Sequence, residues 1–94
     1  MPRFLALAAT LAVLALPAQA ACYADYKAKQ DNPLRLHYGV IELPDNACTP
    51  DAAQAEAARR LGAQGWTLLN IISVFGAEGL DGRKANAGAH FLRY

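Results

Sequence analysis

Residues 49–75 read TPDAAQAEAARRLGAQGWTLLNIISVF and decide the fold: a capped helix, a glycine stop and a strand, in that order. Thr49 is placed to cap free amides, Pro50 suits the first helical position, and Asp51 faces the positive end of the helix dipole. Ala52 stands where the Glu or Gln of a reciprocal capping box would be. The spacing predicts a helix from about residue 50 to residue 63. Ala53, Ala57, Ala58 and Leu61 line one side, with Glu56, Arg59 and Arg60 opposite. Alanines on the inner side let a helix sit close to a sheet while contributing little area. Gly62 and Gly65 supply the stop, one of them in the left-handed conformation that a Cβ resists.

Residues 66–75 are the strongest strand in the chain, dense in aliphatic and aromatic side chains. Simple alternation puts Trp66, Leu68, Ile72 and Val74 on one face and Leu69, Ile71 and Phe75 on the other. A strand apolar on both faces is usually buried on both, and one helix covers only one face of a small sheet. The second face needs the N-terminal segment or another protein, which makes Leu69, Ile71 and Phe75 a candidate interaction surface.

Upstream, residues 22–29 alternate, with Cys22, Ala24, Tyr26 and Ala28 on one face and Tyr23, Asp25, Lys27 and Lys29 on the other, a half-buried strand. Gln30-Asp31-Asn32-Pro33 is a turn signal. Residues 34–43 form a second strand with Leu34, Leu36, Tyr38 and Val40 on one face and Arg35 and His37 on the other, so the two make a hairpin. Gly39 in its middle predicts a bulge or a close approach by another group. Downstream, residues 76–88 hold four glycines and read as a loop, either a recognition element or slack. Residues 89–94 read as a last short strand antiparallel to the one before.

The stretch Leu61-Gly62-Ala63-Gln64-Gly65-Trp66-Thr67-Leu68 resembles small bacterial domains of unknown function family 4177, whose pattern is a strand, a helix ending in L-G-x-x-G-W-x-L, and two more strands. The similarity runs from about residue 36 to residue 94 and implies a compact α+β fold without assigning an activity. The export signal, the cysteine pair and the extra N-terminal strand depart from that pattern.

The first twenty residues predict export. One basic residue, Arg3, precedes an apolar run from 4 to 16; Pro17 breaks it, and Ala18-Gln19-Ala20 fits a signal peptidase cutting before Ala21. The run is too short for a transmembrane helix, which takes about 20 residues. Gln19 stands where a lipobox ahead of Cys22 needs a bulky aliphatic residue, which argues against lipid attachment. The expected division is a cleavable signal at 1–20 and one small domain at 21–94, located in the bacterial periplasm or secreted, with no membrane span after cleavage.

Removing Arg3 leaves eight basic residues against eight acidic ones, a balance that predicts no attraction to nucleic acid. Arg59-Arg60 and Arg83-Lys84 read as solvated pairs. In an oxidising compartment Cys22 and Cys48 read as a disulfide, worth about 3 kcal/mol for a loop of about 27 residues in the chain-entropy account. The competing reading is a metal set of Cys22, Cys48, His37 and His90. It lacks the C-x₂₋₄-C and H-x₃₋₅-H spacings of zinc sites.

Other chemistry is missing. Ser73, the sole serine, lies inside a strand with no G-x-S-x-G turn. There is no phosphate loop, C-x-x-C, H-E-x-x-H or EF-hand pattern. No residue is assigned as catalytic and no cofactor is called for. The expected architecture is α+β: a mainly antiparallel sheet of about four strands, order ββαββ, with one helix on one face and a Cys22–Cys48 disulfide. The expected function is a non-enzymatic binding or interaction module that uses the uncovered face or an edge strand, including for self-association. The alternative is a metal-binding protein or small enzyme built on His37, His90 and the two cysteines.

Overall fold

The structure is a computed structural model that describes residues 22–94. The export signal expected at 1–20 and its cleavage site before Ala21 lie outside the described residues. β1 (Cys22–Gln30) and β2 (Arg35–Leu43) form the expected hairpin. Their register is unbroken from Cys22 opposite Leu43 to Gln30 opposite Arg35. The turn between them holds Asn32 at φ 64°, a left-handed value that asparagine tolerates better than most residues. α1 (Pro50–Ala63) then crosses to β3 (Thr67–Phe75), which pairs antiparallel with the other side of β1. The sheet order is β2-β1-β3. The two strands joined by α1 therefore run in the same direction but are held apart by β1.

One sheet face carries Cys22, Ala24, Tyr26 and Ala28 of β1 with Ile41 and Leu43 of β2, all packed in a core with Ala53, Ala57 and Leu61 of α1. The expected local chemistry is present at both ends of α1. The Thr49 hydroxyl accepts from the Ala52 amide at 3.3 Å, and Gly65 takes φ +84° after the last turn. Ala58 is exposed instead of facing inward; the buried stripe is Ala53, Ala57 and Leu61. Facing alanines on helix and strand bring the two backbones close, so the core is thin and its volume comes mostly from Tyr26, Ile41, Leu43 and Leu61. Gly39 answers a close approach: the Tyr26 ring lies on it, and a Cβ there would stand 2.6 Å from the ring's Cζ. No bulge occurs at that point of the hairpin.

β3 departs from simple alternation, and the departure reassigns its faces. Asp25 and Tyr26 are neighbours in β1, but their partners are Ser73 and Ile71; Lys27 and Ala28 face Asn70 and Leu68. Ile72 and Leu69 are thus extra residues in two bulges. Each bulge advances the strand by one residue without a partner and resets which side faces inward. The inward set becomes Leu68, Ile71 and Val74, all packed against the α1-face core. A three-residue recurrence thus replaces the expected period of two. Ile71 moves to the core, while Ile72 and Leu69 are exposed. The strand reads as apolar on both faces because two of its aliphatic residues belong to bulges.

The sheet has three strands, not four, and the order is ββαβα. In place of a loop, residues 76–88 contain a 3₁₀ turn (Ala77–Gly79) and a second helix, α2 (Asp81–Ala87). The expected C-terminal strand is replaced by a 3₁₀ turn (Gly88–His90) and a single parallel bridge between Phe91 and Val40 of β2. The Leu92 amide donates to the Val40 carbonyl at 2.9 Å. Gly88, at φ +53°, turns the chain off α2 toward the β2 edge, away from β3, where antiparallel pairing was expected. α2 packs against β2 on the face opposite α1, where Val40 and Ala87 are buried. Among the described residues, no helix is long and apolar enough to cross a membrane.

Candidate functional site

Three regions bear chemistry: a polar cluster under α2, an aromatic and histidine cluster at the open end of the α1 core, and an open stretch of the α2 face.

The polar cluster centres on Asp25, the one buried charged residue among those described, 5% exposed. Its two oxygens are shared by three donors from three elements. The Ser73 hydroxyl of β3 donates at 2.6 Å, the Tyr38 hydroxyl of β2 at 2.9 Å and Arg83 Nε of α2 at 3.0 Å. Arg83 also donates to the Gly79 carbonyl at 2.8 Å and lies 3.9 Å from the centre of the Phe75 ring. Burial pushes the Asp25 carboxyl up, but hydrogen bonds from Ser73, Tyr38 and Arg83, with the Arg83 charge, outweigh it and hold the pKa below its ordinary value. Burial and the bond to Asp25 raise the Tyr38 phenol to about 12. A carboxylate this satisfied is a poor general base, so the Asp25–Ser73 pair does not activate the serine as a nucleophile. The cluster is a clamp that fastens α2 to the sheet.

The second cluster brings together both histidines named by the sequence. The His37 and His90 rings stack with centroids 3.7 Å apart and 12° between planes. Trp66 meets His37 edge-on at 4.3 Å, and the Tyr94 ring lies beside the pair, its centre 5.7 Å from both imidazoles and tilted 13° and 24° from the His90 and His37 planes. Tyr26 Oη and His37 Nε2 are 2.9 Å apart, as are His90 Nδ1 and Tyr94 Oη. Burial, then the neighbouring His90 and Arg93, lower the His37 pKa to about 4; burial and Arg93 lower that of His90. Burial, then Tyr94, raises the Tyr26 phenol well above its ordinary range. Imidazole lone pairs lie in the ring plane, so two stacked parallel rings do not converge on one ion. The cysteines are elsewhere: Cys22 and Cys48 form a disulfide, with Cα atoms 5.9 Å apart, and Cys22 lies six residues along β1 from the partner of His37, about 20 Å. Among the described residues no group of three or more His, Cys, Asp or Glu side chains could hold a metal.

The surface named by Leu69, Ile71 and Phe75 is divided by the bulges. Ile71 faces the core, Leu69 is 48% exposed, and Phe75 is half-buried between Arg83 and Tyr23, whose ring centre is 6.2 Å away. α2 covers only part of its face. The remainder, toward the hairpin turn, carries Leu36, Leu69, Lys27 and Tyr38 around an open cleft of about 220 Å³. Sequence reading missed the Asp25 clamp because Asp25 sat on the polar side of an alternating strand and Arg83 in a pair read as solvated. The available signal was the demand that a second apolar face be covered by something tied to it.

Compared with known proteins, the chain matches no family model, no curated protein and no solved structure.

Proposed function

We propose that this chain is an exported, non-enzymatic interaction module of the bacterial periplasm that self-associates by pairing the open edge of β3 with β3 of a second copy. The observation that carries this reading is the character of that edge. β3 is nine residues long, with no charged residue and no proline, and among the described residues it is bonded on one side only. Edge strands are ordinarily guarded by charges, prolines or a covering segment. The β2 edge has such a cover in Phe91 and Leu92. Among the described residues the β3 edge has none, and it displays Leu69 and Ile72. Antiparallel pairing about a two-fold axis would bring these side chains near their own counterparts and continue the sheet across both copies.

The Cys22–Cys48 disulfide fits an oxidising compartment and supports export, as does the N-terminal pattern. The succession of β2, α1, the glycine turn at 62–65 and β3 supports a relation to domain of unknown function family 4177, although one strand follows the helix where that pattern has two.

Sedimentation velocity over a wide concentration range tests the association. The wild type should shift toward dimer, while Leu69→Lys and Ile72→Lys remain monomeric with unchanged circular dichroism. A wild type that stays monomeric at the highest concentration refutes it. Intact mass of protein from its native compartment, without reductant, tests export: the chain should begin at Ala21 and be two hydrogens light.

A further inference from the structure

We infer that the uncovered part of the α2 face is a binding site for a small apolar carboxylate, with Lys27 as the group that receives the anion. Lys27 lies in the central strand, directly opposite Tyr38 of β2 and Asn70 of β3. It lines the open cleft together with Leu36, Tyr38 and Leu69. Leu36 is 66% exposed and Leu69 48%, so two large aliphatic side chains flank a cation on a sheet surface. Two neighbouring cations on this side of the sheet are already paired. Lys29 pairs with Asp31 at 3.4 Å and Arg83 with Asp25 at 3.0 Å. Lys27 makes no ion pair among the described residues, and the Tyr38 hydroxyl beside it donates to Asp25.

The chemistry of the cleft selects its ligand. An unpaired ammonium between aliphatic walls is complementary to an anion with an apolar body: the carboxylate gains a charge-assisted hydrogen bond, and the body covers Leu36 and Leu69. The volume sets the size. At about 220 Å³ the cleft is smaller than the roughly 300–1,000 Å³ of sites for drug-sized ligands. It therefore takes a carboxylate head with a short acyl chain or one ring. The ordinary role for such a lysine is to lay its stem on apolar surface with its head in water and keep the face from sticking to other sheets. The two roles differ in one respect: a guard has no preference for an anionic ligand, and a receptor does.

Titration of the isotope-labelled exported form with octanoate, followed by NMR at fixed protein concentration, separates them. Saturable shifts should appear at the Leu36 and Leu69 methyls and at Lys27. Octylamine, with the same chain and opposite charge, should not produce them. Lys27→Met, at an exposed position that leaves the fold intact, should weaken octanoate binding at least about tenfold, the effect of losing one hydrogen bond to a charged group. Lys27→Glu should exchange the preference toward octylamine. Sedimentation with and without octanoate separates site shifts from any change in β3 pairing. Absence of saturable shifts, equal response to octylamine, or unchanged affinity in Lys27→Met each overturns the assignment and leaves Lys27 as a surface guard.

Discussion

The two faces of the sheet are closed by opposite means. Under α1 the contact is apolar and close, alanine against alanine, with Tyr26 lying on Gly39 and no charged group in the core cluster. Under α2 the contact is polar: a seven-residue helix too short to bury much is fastened by Arg83 to a buried carboxylate that two hydroxyls also serve. A long helix gathers enough apolar contact along its length to hold itself in place. A short one has few contacts and depends on a directional anchor, which fixes position more than it adds net stability.

The largest loss should come from emptying the α1 face. Tyr26→Ala should cost about 3–5 kcal/mol, because it removes the largest fully buried side chain and the partner of His37. Urea denaturation should show a lowered midpoint with an unchanged slope. Replacing Cys22 and Cys48 together by serine comes next. It should cost about 3 kcal/mol by the chain-entropy account for the loop closed between them, read as the fall in urea midpoint against the oxidised wild type.

The α2 face should answer differently. Asp25→Ala leaves Arg83 without its carboxylate and should cost about 2–3 kcal/mol, below the full penalty for a buried pair because the Arg83 side chain is 31% exposed and reaches water. The double replacement Asp25→Leu with Arg83→Met should recover most of that loss, since apolar substitutes for both partners remove the unpaired charge. A double variant no better than Asp25→Ala would mean that the clamp contributes net stability and is not chiefly a positioning device.

Acid should loosen the histidine cluster before it reaches Asp25. A histidine in the unfolded chain protonates near its ordinary value of about 6.5, whereas His37 in the fold resists until about 4. Between those values the unfolded chain binds more protons, so stability falls as pH drops from about 6.5 to about 4 and levels off below. The full shift would correspond to somewhat over 3 kcal/mol; with the ring partly solvated, about 2 kcal/mol is expected. His37→Phe should flatten the stability profile across that window. Asp25 acts at lower pH: its folded pKa is depressed, so its contribution is present above the unfolded value near 3.9 and is lost as pH falls through the folded one. The smallest effect belongs to the helix cap. Thr49→Ala should cost about 1 kcal/mol, seen as a small decrease in thermal midpoint.

The difference between the faces also explains what could be read in advance. Residues 49–65 were legible because capping, helix propensity and a glycine stop are local: Thr49 meets Ala52 three residues on, and Gly65 needs only its own dihedral. The hairpin was legible because β1 and β2 alternate without interruption. β3 was legible as a strand but not in its facing, because bulges at Leu69 and Ile72 are fixed by its fit against β1 and the core. α2 was hidden in a glycine-rich stretch of weak helix preference. Its place on the sheet is fixed by Arg83 meeting Asp25, 58 residues away in the chain.

Local signals suffice for the hairpin, α1 and its ends, the existence of β3 and the pairing of the two cysteines, since each rests on neighbouring residues or on there being a single choice. The place of β1 between β2 and β3, the inward set Leu68, Ile71 and Val74, the meeting of His37 with His90, and the clamp at Asp25 arise only when the elements pack. Those depend on which distant groups meet, and one chain's pattern of polar and apolar residues is compatible with several such meetings until packing and the cost of a buried, unpaired charge select one.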